Sequence, residues 1–206
     1  MTMDFAAVVA PVETCGVEYV DELRDRAIAR GVQCVKGDLN APWEYPDDYF
    51  DLILSSMNIE HMHNTRLYLE ESRRCLKPGG RVLIMTENLG SLLNMGAMAI
   101  GWQPFSTSMV DGWLVGMPAF LEVTDHEAQG EFLECWQESG VSGTVGHVRV
   151  LTYRGLLDLM LKTGFVSVRV QTRGYLPLWG LPSRILGRLG LRYGHFLIAI
   201  GFKEPP

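Results

Sequence analysis

The chain has 206 residues, 47% of them apolar and 20% charged, with a formal net charge of −6. That length suits one domain with an ample core, and the apolar content excludes an intrinsically disordered chain. The longest apolar stretches, residues 92–99 and 114–121, are broken by Asn94, Gly96, Gly116 and Pro118 and fall short of the roughly 20 residues that span a bilayer. No basic residue precedes the short apolar run near Met1, so no signal peptide is expected. The cysteines, Cys15, Cys34, Cys75 and Cys135, include no Cys-x-x-Cys pair, which argues against a disulfide framework or a zinc knuckle and favours a cytoplasmic protein. Charge is uneven: residues 1–146 hold 9 basic and 22 acidic side chains, residues 147–206 hold 9 and 2. An acidic body gives no reading element for a nucleic-acid partner. The basic end permits an anionic substrate or peripheral contact with an anionic membrane, although solvated surface is the plainer reading.

In chain order, residues 14–20 (TCGVEYV) read as a strand, and Asp21 is placed to cap a helix running to residue 29, with Gly31 at its C-terminal stop. Residues 32–35 form a short strand ending at Gly37-Asp38. Pro42 and Pro46 mark a loop, and residues 50–54 (FDLIL) form a strand apolar at every position but Asp51. A helix over residues 65–76 puts Tyr68, Leu69, Cys75 and Leu76 on one side, with Glu70 and Arg74 paired outside. The Lys77-Pro78-Gly79-Gly80 turn delivers the strand at residues 81–85. Near-continuous apolar strands alternating with helices predict a doubly wound α/β sheet, parallel and covered on both faces. Ligands of such sheets bind beyond the carboxyl ends of the strands. That rule selects Glu18, Asp38, Ser55 to Asn58 and Thr86 to Asn88.

Residues 90–146 lack a strand rhythm and are rich in Met and Trp, which reads as an inserted lid or acceptor pocket; a satellite core or a partner-facing patch is the competing reading. Regular structure then returns. Thr152 caps a helix over residues 153–162 that stops at Gly164, residues 165–171 alternate as a strand, residues 177–191 form a Gly/Pro-interrupted excursion, and residues 195–202 form a last apolar strand. No linker divides the chain, so residues 1–206 are expected to form one domain.

Taken in order, GVEYVDEL, Gly37-Asp38-Leu39, FDLILSSMNIEHM, RRCLKPGGRVLI and TYRGLLDLMLKTGF resemble the class I S-adenosylmethionine-dependent methyltransferases of the small-molecule type. The likeness covers residues 14–85 and resumes over 147–203. It implies a Rossmann-like fold and S-adenosyl-L-methionine as cofactor. It further implies that Glu18, beside Tyr19, accepts hydrogen bonds from the ribose hydroxyls, and that Asp38 accepts one from the adenine amine, with Leu39 against the ring. Ser55, Ser56 and Met57 are implied at the methionine end. Read locally, Glu18 is also a helix-capping carboxylate and Asp38 the start of an Asx turn.

Methyl transfer needs alignment and dryness more than proton chemistry; a base helps where the acceptor is a hydroxyl or a protonated amine. His61 and His147 are the candidate catalytic residues, with His63 close by in sequence. The Glu60-His61 pair also suits a purely structural helix start. No His–carboxylate set has metal-ligand spacing, so no metal is expected. The resemblance lacks the family's opening strand and its glycine-rich cofactor loop: only 13 residues precede the first strand, none of them glycine. A parallel crossover alone takes a dozen or more residues. The expectation is therefore two open strand edges at the sheet centre and weakened cofactor binding, unless residues 5–9 fill the gap as an antiparallel strand or the natural start lies upstream. The implied function is methylation of a small-molecule acceptor. The alternative is a non-catalytic remnant acting as a partner or regulatory subunit, a homo-oligomer in either case being permitted.

Overall fold

The computed structural model of the chain describes residues 13–110, 113–116, 146–178 and 180–205. Strand β1 (Cys15–Glu18), helix α1 (Asp21–Ile28) and strand β2 (Gln33–Lys36) come first. Strand β3 (Phe50–Ser56), a 3-10 turn (Ile59–His61), helix α2 (Thr65–Cys75) and strand β4 (Leu76–Glu87) follow. Beyond β4 lie helix α3 (Leu92–Ala99), a second 3-10 turn (Phe105–Thr107) and a small antiparallel hairpin, β5 (Met109–Val110) with β6 (Trp113–Leu114). The chain closes with α4 (Tyr153–Lys162), β7 (Val166–Arg173), α5 (Leu181–Arg188) and β8 (Phe196–Phe202).

Two sheets carry the fold. β1 and β2 pair in parallel, and β3, β4, β8 and β7 form a four-stranded sheet in that order. β3 and β4 run parallel, but β8 is antiparallel to both of its neighbours, correcting the all-parallel expectation. Apolar runs report burial on both faces and carry no information about strand direction. Among the described residues, one edge of β1 and one edge of β3 pair with no strand, which is where the sequence predicts a gap. Residues 5–9 lie outside the described residues, as do residues 117–145 of the insertion.

The core lies on the four-stranded sheet. Ile84 and Val82 of β4 meet Leu69 and Tyr68 of α2, Leu156 and Met160 of α4, and Leu197 and Ala199 of β8. Each fully buried Leu or Ile contributes roughly 1.5–3 kcal/mol. Helix α4 forms as its sequence predicts: the Thr152 hydroxyl accepts the Gly155 N–H at 3.2 Å, and Gly164 takes the left-handed φ of 88° that ends it. Helix α1 departs from expectation. Asp21 is its first residue rather than its cap, paired instead with Arg24 and Lys36, and no residue of α1 is buried. Arg74 also differs from the predicted pairing. Glu70 pairs with Arg66, while Arg74 binds Glu71, Asp47 and the carbonyls of Trp43 and Tyr45.

Candidate functional site

At the carboxyl rim of β1 and β2, Glu18 opposes Lys36 in register, and the Gly37 N–H donates to the Glu18 carbonyl at 3.2 Å. This bond sets Glu18, the last residue of β1, and Asp38, two residues past the end of β2, at one rim. Glu18 Oε1 accepts the Val20 N–H at 3.0 Å, so it does support the helix entry, and among the described residues its other oxygen has no partner. Asp38 forms the Asx turn that its sequence allows, with Oδ1 accepting the Asn40 backbone N–H at 2.8 Å. Tyr19 is exposed and Leu39 packs on the core beside Trp43. A cavity of about 130 Å³ is lined by Val17, Val35, Gly37, Asp38 and Trp43. A larger one, about 480 Å³, lies between Cys15, Gln33, Cys34, Tyr45 and Tyr49. It sits at the amino-terminal ends of the strands, the wrong edge for a ligand of this kind of sheet.

At the end of β3, Ser55 and Ser56 part company because successive strand side chains face opposite ways. Ser55 is buried and its hydroxyl accepts from Tyr68 at 2.7 Å, so it belongs to the core and not to a ligand surface. Burial pushes the Tyr68 phenol up to about 12. Met57 follows with a left-handed φ of 53°, held by its N–H to the Met85 carbonyl at 2.8 Å. An unbranched non-glycine residue in this region is strained, and such strain clusters at ligand sites.

Beyond β3 and β4 the chain gathers Glu60, His61, Glu87 and His147. Glu60 is fully buried; its Oε2 accepts the Thr86 hydroxyl at 2.7 Å and its backbone carbonyl accepts the N–H groups of Val148 and Arg149. His61 Nδ1 lies 3.2 Å from the Gly146 carbonyl and His147 Nδ1 2.7 Å from the Ser106 carbonyl. A carbonyl only accepts, so each Nδ1 carries its hydrogen and each neutral ring presents its lone pair at Nε2. The two rings meet edge to face, centroids 4.9 Å apart, and Glu87 Oε2 stands 3.6 Å from His147 Nδ1. Burial, helped by His147, pulls the His61 imidazole below its ordinary value despite the carboxylates of Glu60 and Glu87. His63 is exposed, and its backbone N–H donates to Asn40.

A buried polar network anchors this cluster. The Asn88 side chain donates to the carbonyls of Arg192 and Gly194, Asn94 donates to the Asn88 carbonyl and to the Ser106 hydroxyl, and Ser106 in turn holds His147. Sequence reasoning overlooked Asn94, Ser106 and the buried His195, whose imidazole burial pulls down although Glu87 favours its cation. The available signal was Ser91-x-x-Asn94, a helix start whose third residue is an amide rather than an acid.

Comparison with known proteins bears on all of this. A family model described as a methyltransferase domain matches residues 4–170. A ubiquinone/menaquinone biosynthesis C-methyltransferase of Serratia proteamaculans is 37% identical over 65 residues, 32% of this chain and 26% of that protein. The chain therefore aligns with about a quarter of the curated relative's length. Among solved structures, a Thermotoga maritima S-adenosylmethionine-dependent methyltransferase, described as a possible histamine N-methyltransferase, superposes with a TM-score of 0.58 at 20% identity, covering 98% of this chain and 78% of that one. One from Mesorhizobium loti gives 0.58 at 18% identity, covering 97% and 84%. At these identities the likeness is one of fold.

Proposed function

The chain belongs to the methyltransferase domain family, with S-adenosyl-L-methionine as its methyl donor, and from that premise we propose that it methylates a small-molecule acceptor at the carboxyl edge of β3 and β4. The donor set at the β1–β2 rim fits a nucleoside: two acceptor-only carboxylates, Glu18 and Asp38, suit ribose hydroxyls and an adenine amine. In this reading Tyr19 and Leu39 flank the nucleoside, and Ser56 and Met57 line the path toward the reacting edge. Held by these residues, the cofactor would supply an electrophilic sulfonium methyl group to the acceptor's lone pair.

The chain's own contribution is orientation and exclusion of water. His61 and His147, their Nδ1 hydrogens committed to backbone carbonyls, direct Nε2 lone pairs at an acceptor hydroxyl or amine and take its proton. The buried Asn94–Ser106 pair holds His147 in that orientation. The observation carrying this reading is the Gly37–Glu18 backbone bond, which sets both carboxylates at one rim. Isothermal titration tests it. Adenosylhomocysteine binds one per chain, and Glu18→Ala or Asp38→Ala weakens binding about tenfold or more. A well-folded chain that binds none favours the non-catalytic alternative.

A second reading concerns where the acceptor is met. Leu181 and Ile185 on α5 and Leu189 at its C-terminal cap recur every fourth residue and stand exposed, Leu181 at 68%, beside Arg184 and Arg188. An apolar stripe flanked by arginines suits an anionic lipid surface. No described helix is long and apolar enough to cross a membrane. Vesicles containing phosphatidylserine should sediment the chain, and Leu181→Glu with Leu189→Glu should release it; equal binding to neutral vesicles would contradict the reading.

A further inference from the structure

The Glu60–His61–His147 cluster holds more unsatisfied bonding capacity than proton transfer requires. Glu60 is fully buried, yet among the described residues its Oε1 has no hydrogen-bond partner, and Glu87 Oε2, 3.6 Å from His147 Nδ1, has none either. A buried carboxylate oxygen without a donor is costly, and a bound cation is one way to satisfy it. One ligand-capable atom from each of Glu60, His61 and His147 lies within 4.8 Å of the others. Both imidazoles also have the arrangement that metal-bound histidines adopt: Nδ1–H donates to a backbone carbonyl, which fixes the tautomer and leaves the Nε2 lone pair for the ion. The sequence hides this set because His61 and Gly146 stand 85 residues apart.

We propose that Glu60, His61 and His147 bind a divalent transition-metal ion, with Glu87 as a neighbouring charge partner. Two imidazoles and one carboxylate suit Zn²⁺ and its first-row neighbours and leave coordination positions open. A tetrahedral ion with bonds of about 2.0–2.1 Å keeps its ligand atoms about 3.3 Å apart, so an inward swing of the rings by roughly an ångström completes the site. With the ion bound, His61 and His147 would serve as ligands in place of the base role given above, and an acceptor hydroxyl at an open position would be acidified by the ion, lose its proton to solvent and keep an oxygen lone pair for attack. That last step rests on the function proposed above; the binding of the ion does not.

The test uses the full chain, stripped with a chelator and dialysed. Calorimetric titration with Zn²⁺ should give one equivalent per chain, and Co²⁺ should develop visible absorption bands. His61→Ala and His147→Ala should each weaken Zn²⁺ binding by about a hundredfold or more, while His63→Ala leaves it unchanged. Glu60→Gln should behave as the histidine variants do; if it fails to fold, the two histidine variants decide. No uptake by the wild-type chain, or equal uptake by both histidine variants, would overturn the proposal, the latter placing the ion on other histidines or on thiols. Adenosylhomocysteine titrated into the stripped chain should still bind. Loss of that arm alone defeats the cofactor reading, and loss of the metal arm alone defeats this one.

Discussion

Helices α1 and α2 each lead from one strand to a parallel neighbour, yet they serve two differently built halves. α2 buries Tyr68, Leu69 and Cys75 against the four-stranded sheet, whereas α1 buries nothing, and β1 and β2 contribute only partly buried positions. What ties the β1–β2 unit down is mostly polar. The Tyr45 hydroxyl reaches the Gly16 carbonyl at 3.1 Å, and Arg74 on α2 grips the Tyr45 and Trp43 carbonyls at 2.9 and 3.0 Å. The half proposed to hold the nucleoside is thus hung from the half that holds the core. Regions with few buried apolar contacts open locally at low free energy, and a ligand that bridges them to the core stabilises them.

Core truncation should widen this contrast most. Leu156→Ala should cost about 2–5 kcal/mol in chemical denaturation, because the fully buried site cannot collapse around the lost atoms. Arg74→Ala should cost about 2–3 kcal/mol, since it strips Glu71 of its ion-pair partner, leaves the Trp43 carbonyl without its guanidinium donor and leaves the Tyr45 carbonyl only the weak Cys75 thiol. The same pair sets an acid limit. Arg74 holds the Glu71 carboxyl below its ordinary 4.5, so this stabilisation is complete above that value and fades as pH falls through the lowered one. A pH series of melting temperatures should therefore fall less steeply for the variant below about pH 4.5. Val32→Ala, at the back of β2, should cost no more than about 1.5 kcal/mol. Smallest of all, Glu18→Gln should change stability by under about 0.5 kcal/mol while weakening cofactor binding. Amide exchange that proves equally slow in β1 and β4 would erase the comparison altogether.

Much of the fold can be read from local chemistry. Thr152, Gly164 and Gly31 mark helix boundaries through a cap oxygen or a left-handed backbone, and those signals act over a few residues. α5 was missed because Pro182 and Gly187 break the local pattern, although Pro near a helix start is compatible with one. Strand direction in β7 and β8 depends on long-range pairing, about which a buried apolar run says nothing. The position of Glu18 and Asp38 at the carboxyl rim is legible in the sequence because it follows from where the strands end. Ser55 was misjudged because facing within β3 turns on register, and its neighbour Tyr68 claims the hydroxyl. The Glu60–His61–His147 cluster needed tertiary structure, since the insertion separates its parts.

The most direct test of the central claim is photocrosslinking of labelled S-adenosylmethionine to the full chain, with the labelled peptides mapped by mass spectrometry. Label on peptides carrying residues 18–19, 38–39 and 56–57 is the predicted result. Label confined to peptides around Cys15, Cys34 and Tyr49, at the larger cavity on the opposite edge, would contradict it.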